Sequence, residues 1–420
     1  MKILIVAHDI APLDLISSQR INYFIDYFSK KGYQVDVLTS KKRAIDGPIT
    51  DIEKYNQLIK KANFIEIPST ISTGNSEVIT NISTEVNKKS GKREFLKKAK
   101  SVLTKITGQM LDYRTIWAFN SIKYIRSTNV QYDVLLTSSL PACVNWLGWS
   151  IKKQNKDILW ISDFRDLWTL NHLVEYNFFS RSIDTFLEKK FLLDADLITT
   201  VSDDLALKMK NFHNKEVLVV RNGFVPEEYQ HIRIKDDLFD DKTKVNIVYA
   251  GNIYKGRRDP SDLLKIIQKY KLENKVNIHF FGHYLANLTE IVDANNAESY
   301  CYFHKPLSRN EMFGVLKASD FNLFLESGES DAKGVMPGKI FELIALGQPI
   351  ITIGPQDDFE SVKLINNAGL LIKLEEFPQK INSINDMENS IDPDFIKEIA
   401  GREGQVDKIY DYIEKMRMDF

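Results

Sequence analysis

The stretch Gly334-Val-Met-Pro-Gly-Lys-Ile-Phe-Glu-Leu-Ile-Ala-Leu-Gly-Gln-Pro-Ile-Ile-Thr-Ile-Gly-Pro355 decides the fold, because it carries a loop, a helix, a turn and a buried strand in succession. A Pro-Gly pair precedes a helical pattern that runs from Lys339 to Leu346. Gly347 follows at the position where a helix C-cap favours a positive φ. The β-branched run at 350–353 then predicts a strand, as in an α/β protein.

The start of this helix predicts an anion-binding site. The first backbone N–H groups of a helix lack intrahelical partners and favour an anion in the preceding loop. Lys339 follows Gly338 in the first turn, where a cation repels the positive end of the helix dipole unless a phosphate or carboxylate lies close by. Glu342, one turn later, can accept hydrogen bonds from the vicinal hydroxyls of a ribose. An ordinary surface Lys and Glu is the alternative.

Length and composition limit the classes of protein that fit. A chain of 420 residues predicts two domains of roughly 200 residues each. A net charge of −1 gives no global signal for nucleic-acid binding. The two cysteines, Cys143 and Cys301, show no metal-ligand spacing, which favours a reducing cytoplasm and no structural zinc. No apolar run approaches the ~18 residues of a membrane span.

The chain begins with a strand–helix–strand pattern. Residues 1–7 form a short apolar run, an amphipathic helical pattern follows near Arg20, and residues 35–39 supply the next strand. The Gly-x-Gly-x-x-Gly fingerprint of dinucleotide-binding proteins is missing from the first loop. Arg20 is a candidate for binding an anionic acceptor, and a solvated helix arginine is the alternative.

A polar and basic insertion occupies about residues 68–112. Its first part, 68–90, is rich in Ser, Thr, Asn and Gly, and predicts an exposed, mobile segment. The helical pattern at about 92–110 combines an apolar stripe with a Lys-rich face, which is typical of a helix at an anionic membrane surface. A core-packed helix with a solvated basic face fits equally well. Nucleic-acid binding is disfavoured because interleaved aromatic residues are missing.

A dense group of charges follows a predicted strand at Asp163-Phe-Arg-Asp-Leu-Trp168. Strand ends are where α/β sheets bind ligands. Asp163 and Asp166 are candidates to orient a sugar hydroxyl or act as a base, and Arg165 is a candidate to bind phosphate or pair with either carboxylate. The alternative is a structural Asp–Arg–Asp network.

The second half opens with a buried strand and a glycine-punctuated loop that predicts a diphosphate clamp. Glycines let the backbone approach a phosphate closely, and cations before a helix N-terminus complete the pattern. Three cations on a solvated loop are the alternative. The candidate residues are Gly251, Asn252, Lys255, Arg257 and Arg258.

These motifs together resemble the GT-B glycosyltransferases of family 4, the retaining nucleotide-sugar enzymes that build bacterial polysaccharides. The resemblance covers nearly the whole chain, and the last of its motifs is the most specific. The motifs are 163–168, 222–223, 249–252, 318–320 and 339–350.

The resemblance implies an α/β GT-B fold, in which two Rossmann-like doubly wound domains face a central cleft. Residues 1–225 are expected to form the acceptor domain and residues 226–400 the nucleotide-sugar domain, with a hinge at Asn222-Gly223. The helix in 401–420 is expected to pack back on the N-terminal domain.

The implied activity is transfer of a sugar from a nucleotide-diphosphate donor to a glycan, lipid-linked or small-molecule acceptor, in cell-surface polysaccharide synthesis. In the family, the glutamate that matches Glu342 holds the ribose. Lys339 with Arg257 or Arg258 is expected to contact the phosphates, and Asp163 or Asp166 the acceptor or donor sugar. Since a cationic clamp can stabilise the departing diphosphate, neither a metal nor another cofactor is expected. The expected location is the cytoplasm, with the inner face of the membrane left open.

Two departures from the family pattern stand out. Gly334 occupies the position of a carboxylate that the family places eight residues before Glu342, and Asn252 replaces an arginine. The cations that follow Asn252 are expected to take over the diphosphate role. Acidic residues that lie close enough in sequence to replace the carboxylate are Glu326, Glu329 and Asp331.

Three other functions remain open from the sequence. A sugar-nucleotide epimerase of the same architecture would use the same diphosphate site without a glycan acceptor. A non-catalytic GT-B assembly partner is consistent with the glycine at 334. A nucleic-acid-binding protein is the weakest alternative, because a near-neutral chain predicts little salt-dependent affinity.

Overall fold

The computed structural model describes residues 1–13, 15–42, 46, 49–69, 108–112, 114–128, 130–172, 174–239, 241, 243–253, 258–282, 286–381 and 393–418. Most of the predicted insertion and of the basic helix at 92–110 lies outside the described residues, as do Lys255 and Arg257. The chain divides into two compact units. The first comprises Met1–Val201, Leu205–Val220 and Val406–Phe420, and the second Ser202–Asp204 and Arg221–Gln405.

The described strands of the first unit form one parallel sheet of seven strands in the order β3-β2-β1-β4-β5-β6-β7. The interior strand at Lys2–Val6 is fully buried at residues 3–6, as expected for a parallel sheet covered on both faces. The strands are β1 (Lys2–Val6), β2 (Gln34–Ser40), β3 (Asn63–Ile67), β4 (Val134–Ser139), β5 (Leu159–Phe164), β6 (Leu197–Thr200) and β7 (Val217–Val219).

The described strands of the second unit form a parallel sheet of six strands in the order β10-β9-β8-β11-β12-β13. As in the first sheet, the strand order reverses direction beside the first strand of the unit, which is the doubly wound arrangement. The strands are β8 (Val245–Ala250), β9 (Val276–Phe281), β10 (Cys301–His304), β11 (Phe321–Leu325), β12 (Ile350–Ile353) and β13 (Leu371–Ile372).

Helices connect successive strands in both units, because parallel neighbours require a crossover connection. Short 3₁₀ turns lie at Pro226–Tyr229 and Ser330–Ala332. In chain order the described α-helices are α1 (Ile16–Lys30), α2 (Ile52–Leu58), α3 (Arg114–Ser127), α4 (Cys143–Gln154), α5 (Phe178–Leu192), α6 (Asp203–His213), α7 (Ser261–Lys269), α8 (Ala286–Ala294), α9 (Arg309–Ala318), α10 (Gly338–Leu346), α11 (Glu360–Asn367), α12 (Phe377–Lys380), α13 (Pro393–Ala400) and α14 (Arg402–Met418).

The C-terminal helix α14 contributes to the first unit's core from residue 406 onward. Val406 and Ile409 are fully or almost fully buried there. The Tyr27 hydroxyl donates to the Asp407 carboxylate, and the Tyr33 hydroxyl donates to Glu414 at 2.8 Å. Residues far apart in sequence therefore complete one core.

The helix α10 has the local structure that its sequence predicts. Pro337 is the N-cap with extended backbone angles, and Gly347 is a left-handed C-cap with φ of 73°. Its apolar side chains face the core, because residues 340, 341, 343, 344 and 346 are buried. The prediction of an α/β chain with two Rossmann-like, doubly wound domains is confirmed.

Candidate functional site

Glycines line the carboxyl edge of the second unit's sheet. Gly251 follows β8, Gly282 follows β9 and Gly354 follows β12. A Cβ atom added to Gly282 would lie 2.3 Å from the carbonyl oxygen of Gly251, and one added to Gly328 would lie 2.4 Å from that of Gly354. Since such distances exclude any side chain, the sheet edge presents closely packed backbone, the surface that a phosphate group can approach.

Lys339 lies next to this backbone surface. It is in the first turn of α10, and its Nζ lies 4.0 Å from the centre of the buried Tyr249 ring. The same Nζ lies 3.6 Å from where a Cβ of Gly251 would be. The structure therefore brings together two segments that the sequence predicts as donor-binding, the loop after β8 and the start of α10.

The charge of Lys339 is poorly stabilised. Burial lowers its pKa to about 7, and repulsion by Arg258 adds to this shift, while Glu342 and Glu326 oppose it. Within the described part of the chain, no carboxylate lies within 4.0 Å of Lys339 Nζ. A partly buried ammonium at the positive end of a helix is stabilised by an added anion, so this position favours a phosphate ligand.

Arg258 is the member of the predicted cationic loop that the structure describes. Its Nη2 donates to Glu326 Oε2 at 2.7 Å, and Glu326 directly follows β11. The backbone of the same loop is also fixed, because the carbonyl of Asn252 accepts a hydrogen bond of 3.1 Å from the Tyr249 hydroxyl. Arg258 is thereby held beside Lys339 in the same unit.

Glu342 lies on the accessible side of α10 and retains partial solvent exposure. Its Oε1 accepts hydrogen bonds from Arg309 Nε at 3.2 Å and Nη2 at 3.1 Å. Arg309 also contacts Glu228 at 3.0 Å, so the glutamate belongs to an exposed network of three charges. The remaining acceptor capacity of this carboxylate suits a ribose hydroxyl.

Position 334 has no space for the carboxylate that the family pattern places there. A Cβ on Gly334 would lie 2.7 Å from Oδ2 of Asp204, a residue of the same unit. The Gly334 carbonyl also accepts a hydrogen bond of 2.7 Å from Ser202. A glutamate at 334 would clash with a carboxylate and be repelled by it, which gives a physical reason for the glycine.

In the first unit, Asp163 and Arg20 form a buried ion pair. Arg20 donates through Nε and Nη2 to the two carboxylate oxygens at 2.9 and 2.6 Å. Thr199 adds a third hydrogen bond of 2.6 Å. The side chain of Arg20 is 4% exposed and that of Asp163 is fully buried. Arg20 is therefore not solvated, which was the alternative left open by the sequence. The pair links α1, β5 and β6, which favours a structural role for both residues.

Arg165 and Asp166 form a separate and more exposed pair. Arg165 Nε and Nη2 lie 3.0 and 2.9 Å from Asp166 Oδ2. The predicted trio is therefore split, with Asp163 inside the sheet and its two neighbours near the surface. A catalytic role for these three residues stays a prediction.

A polar cluster that the sequence reasoning missed follows β1. His8 Nδ1 lies 3.0 Å from Asp9, which also accepts a hydrogen bond of 3.0 Å from Ser17. Burial lowers the pKa of His8 below its ordinary value, so the imidazole is neutral near pH 7. Burial likewise lowers the pKa of Lys42 to about 8, and its ammonium donates to Thr39 at 2.8 Å. The available signal was the His-Asp pair directly after the first apolar run.

Two further site residues, Tyr249 and Glu326, were also outside the predicted set. Tyr249 reads in sequence as an ordinary core residue of a strand, and only the structure shows its ring against Lys339. The sequence suggested Glu326 only as a replacement for the carboxylate missing at 334. Its contact with Arg258 joins residues 68 positions apart, so no local pattern indicates it. The recurring glycine after β8, β9 and β12 was the sequence signal for this edge.

The described residues contain no group of three or more His, Cys, Asp or Glu side chains placed to hold a metal ion. Asp194 and Asp196 have Asp-x-Asp spacing, but each pairs with a lysine. The Asp194 carboxylate lies 2.9 Å from Lys153 Nζ, and the Asp196 carboxylate lies 2.7 Å from Lys152 Nζ.

Across the described helices, none combines the length and apolar character needed to cross a membrane.

The chain is similar to solved structures along its whole length. A glycosyltransferase from Rickettsia africae ESF-5 matches 99% of this chain and 98% of its own, with a TM-score of 0.60 and 13% identity. Anabaena Alr3699/HepE in complex with UDP-glucose matches 100% of both chains, with a TM-score of 0.56 and 10% identity. A Listeria monocytogenes protein assigned as a UDP-N-acetylglucosamine 2-epimerase matches 100% of this chain and 97% of its own, with a TM-score of 0.54 and 10% identity.

No protein-family model matches the sequence, and no curated protein gives a significant match. At identities of 10–13% the structural similarity establishes the fold, and the residues of the site must carry any statement about activity.

Proposed function

We propose that this protein is a glycosyltransferase that transfers a sugar from a nucleotide-diphosphate donor, and that the second unit binds the donor. The observation that carries the proposal is Lys339. It is a partly buried cation with a pKa near 7, and it lies at a helix N-terminus beside the glycine-lined ends of the strands. A diphosphate at this place would restore the charge of Lys339 and accept hydrogen bonds from the first turn of α10.

Each part of the donor has a candidate partner. Lys339 and Arg258 contact the diphosphate, and the backbone at Gly251 lets it approach. Glu342 accepts hydrogen bonds from the ribose. As the sugar leaves, negative charge develops on the diphosphate, and the two cations stabilise it by fixed electrostatic interactions.

The similarity to a structure that contains UDP-glucose supports a nucleotide sugar as the donor. Resemblance to the retaining family supports transfer with retention of configuration, and a cationic clamp supports a reaction that does not require a metal. The acceptor is a glycan, a lipid-linked sugar or a small molecule of cell-surface polysaccharide synthesis.

In this proposal, the first unit binds the acceptor. Arg20 is engaged by Asp163 inside the sheet, so Arg165 and Asp166, which are more exposed, are better placed to contact an acceptor hydroxyl. The neutral His8, oriented by Asp9, is a further group able to accept a hydrogen bond from a hydroxyl.

A thermal-shift panel of nucleoside diphosphates and nucleotide sugars tests the donor site. We expect at least one of these ligands to raise the melting temperature of the parent protein. Lys339→Ala and Glu342→Ala should each abolish that rise while the circular dichroism spectrum stays unchanged. No stabilisation by any nucleoside diphosphate would overturn the enzyme proposal and favour a non-catalytic assembly partner.

A sugar-nucleotide epimerase is the second candidate, because the Listeria protein assigned to that activity shares the fold. The two activities differ in their need for an acceptor. Incubation with the stabilising nucleotide sugar alone, followed by chromatography and NMR of the product, separates them. An epimerised nucleotide sugar would support the epimerase, whereas sugar transfer upon addition of a cell-envelope glycan or lipid extract would support the transferase.

A further inference from the structure

The helix α5 in the first unit exposes an unusual row of large apolar side chains. Phe178 is 80% exposed, Phe179 74%, Ile183 52% and Phe186 64%. Phe179, Ile183 and Phe186 are spaced four and three residues apart, so they lie on one face of the helix. Contiguous exposed apolar groups of this kind mark an interaction surface rather than ordinary solvent-facing helix.

The charges of α5 are divided between its two faces. Its acidic residues, Asp184 and Glu188, are buried. Asp184 accepts a hydrogen bond of 3.0 Å from the Trp168 indole, and Glu188 accepts one of 2.9 Å from the backbone N–H of Thr169. The exposed side chains of the helix therefore include cations and no carboxylate. These cations are Arg181, Lys189 and Lys190.

Cations and aromatic rings are interleaved on this surface. Lys190 Nζ lies 5.9 Å from the centre of the Phe186 ring and 5.4 Å from that of Trp149 on α4. Lys153, also on α4, is half exposed and lies over the same indole at 6.0 Å. Because Lys153 also pairs with Asp194 at 2.9 Å, the net positive charge of this surface comes from α5.

The apolar row is displayed by a firmly anchored helix. Asn177 caps the N-terminus by accepting a hydrogen bond of 2.8 Å from the Ser180 N–H, and the opposite face is buried at 184, 188, 191 and 192. The exposed phenylalanines are therefore not core residues of a poorly packed helix, and their solvent exposure calls for a partner.

We propose that the exposed face of α5 docks on an anionic lipid surface. The phenylalanine rings would enter the boundary between headgroups and acyl chains, and Arg181, Lys189 and Lys190 would contact lipid phosphates. This combination of an apolar row and the cations exposed on α5 is complementary to an anionic bilayer. It is independent of the basic segment at 92–110, which the sequence predicts as a membrane contact.

Charge also argues against two other occupants of this face. A symmetric contact between two copies of the chain would place Arg181, Lys189 and Lys190 against the same three cations, and like charges disfavour such an interface. The segment at 88–105 is itself rich in Lys and Arg in sequence, so the cations of α5 disfavour a contact with the Lys-rich part of that segment.

Vesicle sedimentation of the full chain tests the proposal. The probe is a set of phosphatidylcholine vesicles with and without about 30% phosphatidylglycerol, at low and at roughly 0.5 M salt. We expect binding to the anionic vesicles at low salt, with a loss of at least about tenfold at high salt or on neutral vesicles. Absence of binding by the parent protein, or equal binding to neutral vesicles, would overturn it.

Two groups of variants assign the binding to α5. Phe178→Gln/Phe179→Gln/Phe186→Gln should weaken vesicle binding at least about tenfold, because each substitution removes an apolar ring from the contact with the lipid. Arg181→Gln/Lys189→Gln/Lys190→Gln should weaken it to a similar extent and remove its dependence on salt. All six residues are exposed, so the melting temperature should stay close to that of the parent.

The matched control is Phe119→Gln/Lys123→Gln on α3, where an exposed phenylalanine and a lysine 4.5 Å from its ring form a similar local pair. This variant should bind vesicles like the parent. Vesicle binding that survives in both α5 variants would overturn the proposal and point to the basic segment instead. A dimer in the parent that becomes monomeric in the phenylalanine variant, without vesicle binding, would assign the face to a second copy.

Discussion

The two units each hold a buried or partly buried cation near the carboxyl edge of a parallel sheet, and the two cations differ in their partners. In the first unit, Arg20 donates two hydrogen bonds to Asp163. In the second unit, Lys339 has no carboxylate of the described chain within 4.0 Å, and its pKa is lowered to about 7 by burial. Removal of a paired buried cation leaves its carboxylate uncompensated and destabilises the fold, whereas a cation beside an aromatic ring with no such carboxylate close by suits an anionic ligand.

The largest expected effect is the loss of the Arg20–Asp163 pair. Arg20→Ala leaves a fully buried carboxylate without its cation and should lower the free energy of unfolding by about 3–5 kcal/mol. Urea denaturation followed by circular dichroism measures the change. Arg165→Ala, which removes the more exposed cation two residues after Asp163, is the control and should change it by less than about 1 kcal/mol. Equal losses in the two variants would contradict the structural role of Arg20.

The opposite pattern is expected at Lys339. Lys339→Met keeps the length of the side chain and removes a poorly stabilised charge, so stability should be unchanged or slightly higher. Binding of the stabilising nucleoside diphosphate should weaken by about 10- to 150-fold, since a hydrogen bond to a charged group contributes about 1.5–3 kcal/mol. Isothermal titration calorimetry measures the affinity.

Lys317→Met is the control for that variant, because Lys317 donates to the Leu346 carbonyl at the other end of the same helix. It should lose some stability and keep its affinity for the nucleotide. If Lys339→Met unfolds the protein while Lys317→Met does not, then Lys339 acts in the fold rather than at a ligand site.

The lowered pKa of Lys339 predicts opposite pH dependences for binding and stability. A bound diphosphate raises this pKa, so the affinity should fall as the pH rises above about 7, by up to about tenfold per unit. Between about 7 and the unfolded value of 10.5, the unfolded chain binds more protons at this residue, so its contribution to stability rises with pH. Calorimetry and thermal melts from pH 7 to about 9 should show both slopes in the parent, and Lys339→Met should lack them. A pH-independent affinity in the parent would contradict the role of this ammonium.

The smallest effect on stability is expected at the exposed Arg309 network. Arg309→Gln breaks contacts to Glu342 and Glu228 whose side chains are partly solvated, so the free energy of unfolding should change by less than about 1 kcal/mol. The same urea denaturation as for Arg20 measures it. A loss of stability as large as that of Arg20→Ala would contradict the expectation that the exposed ion pairs of this chain contribute less to stability than the buried pair.

Local sequence signals predicted the fold well where a pattern is complete within a few residues. The continuous apolar run at the chain start gave β1, and Gly347 marked the end of α10 with the expected positive φ. The edge strand β3 was missed, because at Asn63–Ile67 its side chains are only partly buried or exposed and its apolar pattern is weak.

The site was predicted in part for the same reason. The helix start at Lys339 and the glycine at 251 have local signatures, and the structure places them together. The engagement of Arg20 by Asp163 joins residues 143 positions apart, so no local pattern distinguishes it from a solvated arginine. The predicted grouping of Asp163 with Arg165 followed sequence proximity, but β5 ends at Phe164, so Asp163 lies inside the sheet whereas Arg165 belongs to the more exposed loop that follows.

The sequence by itself determined the α/β alternation, the C-cap of α10 and the presence of a lysine at its first turn, because these depend on backbone preferences and periodicity over short distances. Only the tertiary structure decided which charges are paired. It gave Arg20 a buried carboxylate, left Lys339 beside Tyr249 with a lowered pKa, and filled the space at Gly334 with Asp204. The reason is that the energy of a charge depends on its burial and on its neighbours across the sheet, which the chain acquires only when it folds.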